Sequence, residues 1–142
     1  MKKLAILIVM FAALAAPAAA AAKNVKQTGN VVGDKVATVK LRVKVEHGKA
    51  LKVAGFRAQN VAARCGKDVI RITLTVHSPI EVEGNGDFKG RISDGEGGMV
   101  RISGQVKDRG RATSGSVKTN EFQQGNRTCK VPKQRFKTSA GG

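Results

Sequence analysis

From Val39 to Val45 the chain alternates without a break: Val39, Leu41, Val43 and Val45 are apolar, and Lys40, Arg42 and Lys44 between them are cationic. Side chains of an extended chain point alternately to opposite faces, so a period of two puts one face in a core and the other in water. Almost nothing in the chain beyond about residue 22 shows a competing helical period, which points to a fold built of sheets.

The same alternation recurs along the sequence. Glu46-His47-Gly48-Lys49 reads as a hairpin loop, after which Leu51 and Val53 resume the pattern before Phe56. Ile70, Ile72, Leu74 and Val76 alternate with Arg71, Thr73, Thr75 and His77, and Pro79, which lacks a backbone donor, ends that strand. Ile80 and Val82 make a short strand with Glu81 and Glu83 facing away, and Gly84-Asn85-Gly86 is a turn. Phe88 and Ile92 form another, followed by the loop Ser93 to Gly98. Val100, Ile102 and Val106 continue the series; Asp108-Arg109-Gly110 turns the chain, Thr113 to Val117 is a weaker strand, and a last strand is expected from about Cys129 to Phe136.

About seven to nine short strands between glycine-rich turns predict an all-β fold, a single antiparallel β-sandwich, with a small closed β-barrel as the alternative. A parallel sheet needs crossovers of a dozen or more residues, and no such segment lies between these strands. The sandwich domain is expected over residues 35–137, preceded by a polar entry segment at 23–34 and followed by a disordered tail at 138–142.

Residues 1–22 have a different character. Met1-Lys2-Lys3 precede an apolar run from Leu4 to Leu14, then Pro17 and the alanines Ala18 to Ala22. This is the order of a secretory signal peptide, with cleavage expected after Ala20 or Ala22. The apolar run is about eleven residues where a membrane-spanning helix takes about twenty. No second apolar segment follows, so the expected mature chain is secreted, extracellular or in the cell envelope, without a transmembrane segment. There, the even pair Cys65 and Cys129 is expected to form a disulfide, because sixty-three intervening residues suit neither a CxxC redox pair nor a metal clip.

Export also sharpens the charge. The chain has 26 Lys and Arg against 10 Asp and Glu; without Lys2 and Lys3 the cations are 24 and the net charge +14. Such a surface concentrates polyanions around itself. The residues expected to meet them are Lys40, Arg42 and Lys44 on one strand face, Arg109 and Arg111 at a turn, and Lys133 and Arg135 near the C-terminus. The partner class is a polyanion such as cell-wall polymer, acidic polysaccharide or DNA. Sequence-specific nucleic-acid reading is not expected: it needs base-edge contacts or exposed aromatics, and beyond the signal only Phe56, Phe88, Phe122 and Phe136 are aromatic.

Catalytic chemistry finds no constellation. His47 and His77 lie on separate elements, Ser78 is outside any GxSxG elbow, and acid–base work needs a partner within hydrogen-bond reach. Glu83, Asn85 and Asp87 have the spacing that opens a calcium loop, but the sixth position is Phe88 where that loop requires Gly, so a hairpin turn is the reading. Gly84-x-Gly86 continues to Gly90, one residue too far for a phosphate-binding GxGxxG. The expectation is therefore a non-catalytic interaction module with no cofactor or metal, and with polyanion binding as its narrower form. An enzyme, or an inhibitor presenting Ser93 to Gly98 or Asn120 to Asn126, ranks below it.

Val53-Ala54-Gly55-Phe56 shortly before Cys65, Ile80 to Phe88, Val100-Arg101-Ile102-Ser103-Gly104, Ala112 to Val117, and Cys129 with Phe136 together resemble small uncharacterised secreted domains of actinobacteria. The resemblance implies a two-layer β fold with one disulfide and carries no site residues.

Overall fold

The computed structural model describes residues 22–93 and 98–141. The expected signal segment lies outside the described residues except for Ala22, as do residues 94–97 of the Ser93 to Gly98 loop.

The fold is all-β and antiparallel. In chain order the strands are β1 (Lys23–Val31), β2 (Asp34–Glu46), β3 (Lys49–Cys65), β4 (Asp68–Val76), β5 (Ile80–Glu81), β6 (Asp87–Ser93), β7 (Met99–Lys107), β8 (Ala112–Thr119), β9 (Phe122–Gln124), β10 (Arg127–Cys129) and β11 (Gln134–Ser139). Eight of them run side by side as β4-β3-β2-β1-β11-β8-β7-β6, with β5 against β3; β9 and β10 form a separate hairpin. The long sheet folds over on itself, so that inward side chains of β2 and β3 share one core with those of β6, β7, β8 and β11. The layers are those of a sandwich. β5 approaches β6 through a single bridge, Val82 to Phe88, which is no continuous ladder, so the alternative of a closed barrel does not hold.

The alternating residues do what their period demands. Val39, Leu41, Val43 and Val45 of β2 are buried, as are Val53 and Phe56 of β3, while Lys40 and Arg42 are exposed. Two residues with positive φ, His47 and Gly48, turn β2 into β3, the geometry that matches the twist of a two-residue hairpin. Phe56 and Phe136 pack with ring centroids 5.4 Å apart at the centre of the core. Room for two of the phenylalanine rings comes from Gly104 and Gly115, which face each other across β7 and β8. A Cβ on Gly104 would lie 2.9 Å from Phe88 Cζ, and one on Gly115 2.8 Å from Phe136 Cζ.

Five features differ from the sequence-based expectation. The entry segment at 23–34 is mostly strand: β1 sits inside the sheet between β2 and β11 and is part of the domain. Two of its inward positions are Gln27 and Gly29, so hydrophobic alternation cannot reveal it. Gln27 is buried, donates from Nε2 to the Gly110 carbonyl at 2.6 Å and accepts from Thr138 Oγ1 at 2.7 Å. Thr138 and Ser139, placed in the tail, complete β11 against β8 and β1. The expected strand from Cys129 to Phe136 is two, β10 and β11, parted around Pro132, which has no N–H for a ladder. The segment Asn120 to Asn126 is not a free loop, because Phe122–Gln124 pairs with Arg127–Cys129. Strands are also longer than expected, with β3 reaching 17 residues by absorbing irregularities in its pairing with β2 and β4.

The cysteines do pair: Cys65 and Cys129 form a disulfide with S–S 2.02 Å and Cα atoms 4.1 Å apart. The bond fastens the β9-β10 hairpin to the end of β3. Beside it Arg64 and Lys130 exchange backbone hydrogen bonds of 2.8 and 2.9 Å.

Candidate polyanion-binding faces

β2 carries Lys40, Arg42 and Lys44 on its outward side, and the sheet surrounds them with more cations. In register across neighbouring strands, Lys26 of β1 stands opposite Arg42, Arg57 of β3 opposite Lys40, and Lys52 of β3 opposite Lys44. Adjacent strands lie about 4.8 Å apart and outward residues on one strand about 6.8 Å apart, so these six form a close lattice of positive charge. Lys26, Lys40, Arg42 and Arg57 are exposed; Lys44 and Lys52 are half-buried. The Arg42 guanidinium lies over Gly55, where a Cβ would come 3.1 Å from its terminal nitrogen. An open groove of about 510 Å³ runs through this face, bordered by Thr28, Thr75 and His77. Two carboxylates border the cationic face: Glu46, which ends the outward row of β2, and Glu81, 3.9 Å from Lys52 Nζ.

The other sequence-designated residues lie elsewhere. Lys133 precedes β11, and Arg135 points outward from it, on the layer formed by β6, β7, β8 and β11. Arg109 belongs to a single 3₁₀ turn, Asp108–Gly110, whose three residues all have positive φ. That turn caps one end of the core, with Gly110 against Val43 and Val45; Arg109 reaches toward the β2-β3 hairpin, and Arg111 follows it, exposed. The seven designated cations are thus divided among two faces and one end. Sequence reasoning did not designate Lys26, Lys52 and Arg57, although Arg57 and Lys52 follow the alternation. What it lacked was the register that sets them opposite Lys40 and Lys44.

Acidic groups of the described residues are mostly committed to structure. Asp34 accepts a hydrogen bond from Arg71 Nη1, which also donates to the Asn60 carbonyl at 3.0 Å. That contact with Arg71 is the main reason the Asp34 carboxyl is held below its ordinary value. Asp68 pairs with Arg127 at 3.1 Å, tying the β9-β10 hairpin to β4. Asn85 Oδ1 accepts from the Asp87 backbone N–H at 3.0 Å while its Nδ2 donates to Asp87 Oδ2, the self-contained turn expected at this point. His47 lies 4.0 Å from Glu46 within the exposed hairpin turn, and His77 is exposed on the rim of the groove. No group of three or more His, Cys, Asp or Glu side chains is placed to hold a metal among the described residues.

Comparison with family models, curated proteins and solved structures finds no match.

Proposed function

We propose that this protein is exported and works outside the cell, or in its envelope, as a non-catalytic interaction module that binds polyanions through the outer face of β1, β2 and β3. The observation that carries the reading is the register: Lys26 opposite Arg42, Lys40 opposite Arg57, and Lys44 opposite Lys52. Like charges directly opposed across strands destabilise a sheet, by up to about 1 kcal/mol a pair. Solubility alone is served better by interspersed signs, which avoid that cost. A bound polyanion turns the repulsion into attraction.

Export is supported by the lysine-apolar-alanine order of residues 1–22 and agrees with the Cys65–Cys129 disulfide, a bond favoured in oxidising compartments. No helix among the described residues is long and apolar enough to cross a membrane. Among partners, a base-free polymer such as acidic polysaccharide or wall polymer fits better than single-stranded nucleic acid. Phe56, Phe88 and Phe136 are buried and Phe122 is half-buried, so this face offers no aromatic platform for bases.

The test is salt-dependent retention on immobilised heparin or wall polymer. Six phosphate-like contacts would make affinity fall by about four to five orders of magnitude for a tenfold rise in salt. Retention at about 50 mM salt and release by about 500 mM is expected, and Lys40→Gln/Arg42→Gln/Arg57→Gln should elute earlier. Flow-through of the unmodified protein at low salt would end the proposal.

A further inference from the structure

The opposite layer bears a second concentration of charge. Arg91 of β6, Arg101 of β7 and Lys118 of β8 stand in one row, each directly opposite the next. All three are exposed, and among the described residues none has an ion-pair partner. With Lys89 and Lys133 they border an open groove of about 480 Å³. Its floor is polar: Ser103 and Ser116 occupy facing positions on β7 and β8, with their Oγ atoms 3.4 Å apart. Five cations around two hydroxyl donors suit a tetrahedral oxyanion, whose several oxygens take charge-assisted hydrogen bonds from Arg and Lys together with hydroxyl donors below.

This groove and the β1-β2-β3 face look away from each other. Ile102 and Val117 beneath the groove belong to the same core as Leu41 and Val43 beneath β2, so outward side chains of β7 and β2 leave that core in opposite directions. Packed sheets are about 10 Å apart before outward side chains are added, and one straight polymer segment cannot touch both sides.

We propose that the Ser103-Ser116 groove is a second, independent anion site for the phosphate or sulfate groups of a linear polymer, and that one molecule therefore bridges two polymer chains. The inference rests on the polyanion-binding reading of the first face and adds valency and ligand chemistry to it. Linking two sites in one rigid body makes the second contact intramolecular once a network begins, so bridging gains avidity without new contacts.

The whole exported protein is titrated into long-chain polyphosphate and, separately, into long heparin at low salt, and light scattering is followed, with heparin-column retention measured in parallel. Scattering should rise, pass through a maximum and fall again when polymer is in excess. Arg91→Gln/Arg101→Gln/Lys118→Gln should remain folded and retained on heparin but lose at least tenfold in scattering, and Lys40→Gln/Arg42→Gln/Arg57→Gln should do the same. Scattering with one polymer alone identifies the phosphate or the sulfate group as the oxyanion recognised. Undiminished scattering by the groove variant overturns the second site, as does equal scattering with a carboxylate-only polymer of matched charge. A protein that is retained on heparin yet never scatters sinks bridging and leaves the proposed function standing, whereas one that is not retained sinks both.

Discussion

Replacing Arg101 with glutamate should make the protein more stable at low salt. Arg101 is exposed at the middle of β7, with Arg91 opposite on β6 and Lys118 opposite on β8. A directly opposed pair contributes about 0.2–1 kcal/mol, favourable for unlike charges and unfavourable for like ones. Arg101→Glu converts two repulsions into two attractions. Taking about 0.25 kcal/mol for each of these four changes, near the low end because the groups are exposed, gives about 1 kcal/mol of stabilisation. In a domain of this size that is roughly 4 °C in Tm. Arg101→Gln removes the repulsions without adding attractions and should give about half. Thermal and urea melts of the three proteins at about 20 mM and 500 mM NaCl provide the measurement. The screening length falls from roughly 20 Å to about 4 Å between those conditions, shorter than the strand spacing, so most of the gain should vanish in high salt. If Arg101→Glu melts at or below the parent in low salt, or if its gain is indifferent to salt, repulsion across β6, β7 and β8 is not what the register implies.

Other outcomes follow from the interior, the disulfide and the perturbed carboxyl of Asp34. Thr113 is 3% exposed and its Oγ1 has no hydrogen-bond partner among the described residues, so Thr113→Val should raise the urea midpoint by the equivalent of about 1 kcal/mol with an unchanged m-value; a loss of stability would show that the hydroxyl is satisfied in solution. Closing a loop across a sequence separation of 64 stabilises by about 4 kcal/mol on the chain-entropy model, so Cys65→Ala/Cys129→Ala should lower the unfolding free energy by that order, and a change below about 1 kcal/mol would contradict the constraint. Asp34 is held below its ordinary carboxyl value of 3.8, chiefly by the Arg71 hydrogen bond, so its contribution is present above that value and is lost as pH falls through the lower folded value. The stability difference between the parent and Asp34→Asn should therefore be flat from neutral pH to about 5 and shrink in stronger acid; a difference unchanged at about pH 2 would exclude titration of Asp34 as its source.

Local pattern was enough for much of the fold. β2 and β4 are legible because each turns a run of aliphatic residues to one face, and the β2-β3 turn because His47-Gly48 accepts positive φ. Where the inward residue is not hydrophobic, the pattern disappears. Gln27 and Gly29 hide β1, since a buried amide is acceptable only when groups as distant as Gly110 and Thr138 satisfy it. The break between β10 and β11 was available in principle from Pro132, yet the place of the β9-β10 hairpin is set by distant contacts, the disulfide to β3 and the Arg127–Asp68 ion pair to β4.

The candidate faces divide along the same line. Which residues are cationic, that Lys40, Arg42 and Lys44 share one side of a strand, and that two cysteines are available to pair were determined by the sequence alone, because chain chemistry and a period of two are local properties. That Lys26 stands opposite Arg42, that Arg91, Arg101 and Lys118 form one row, and that the two charged surfaces look in opposite directions were decided only by the tertiary structure. Register and the folding of the sheet over one core are set by contacts between residues far apart in the chain, and a one-residue slip would carry every outward cation to the inside.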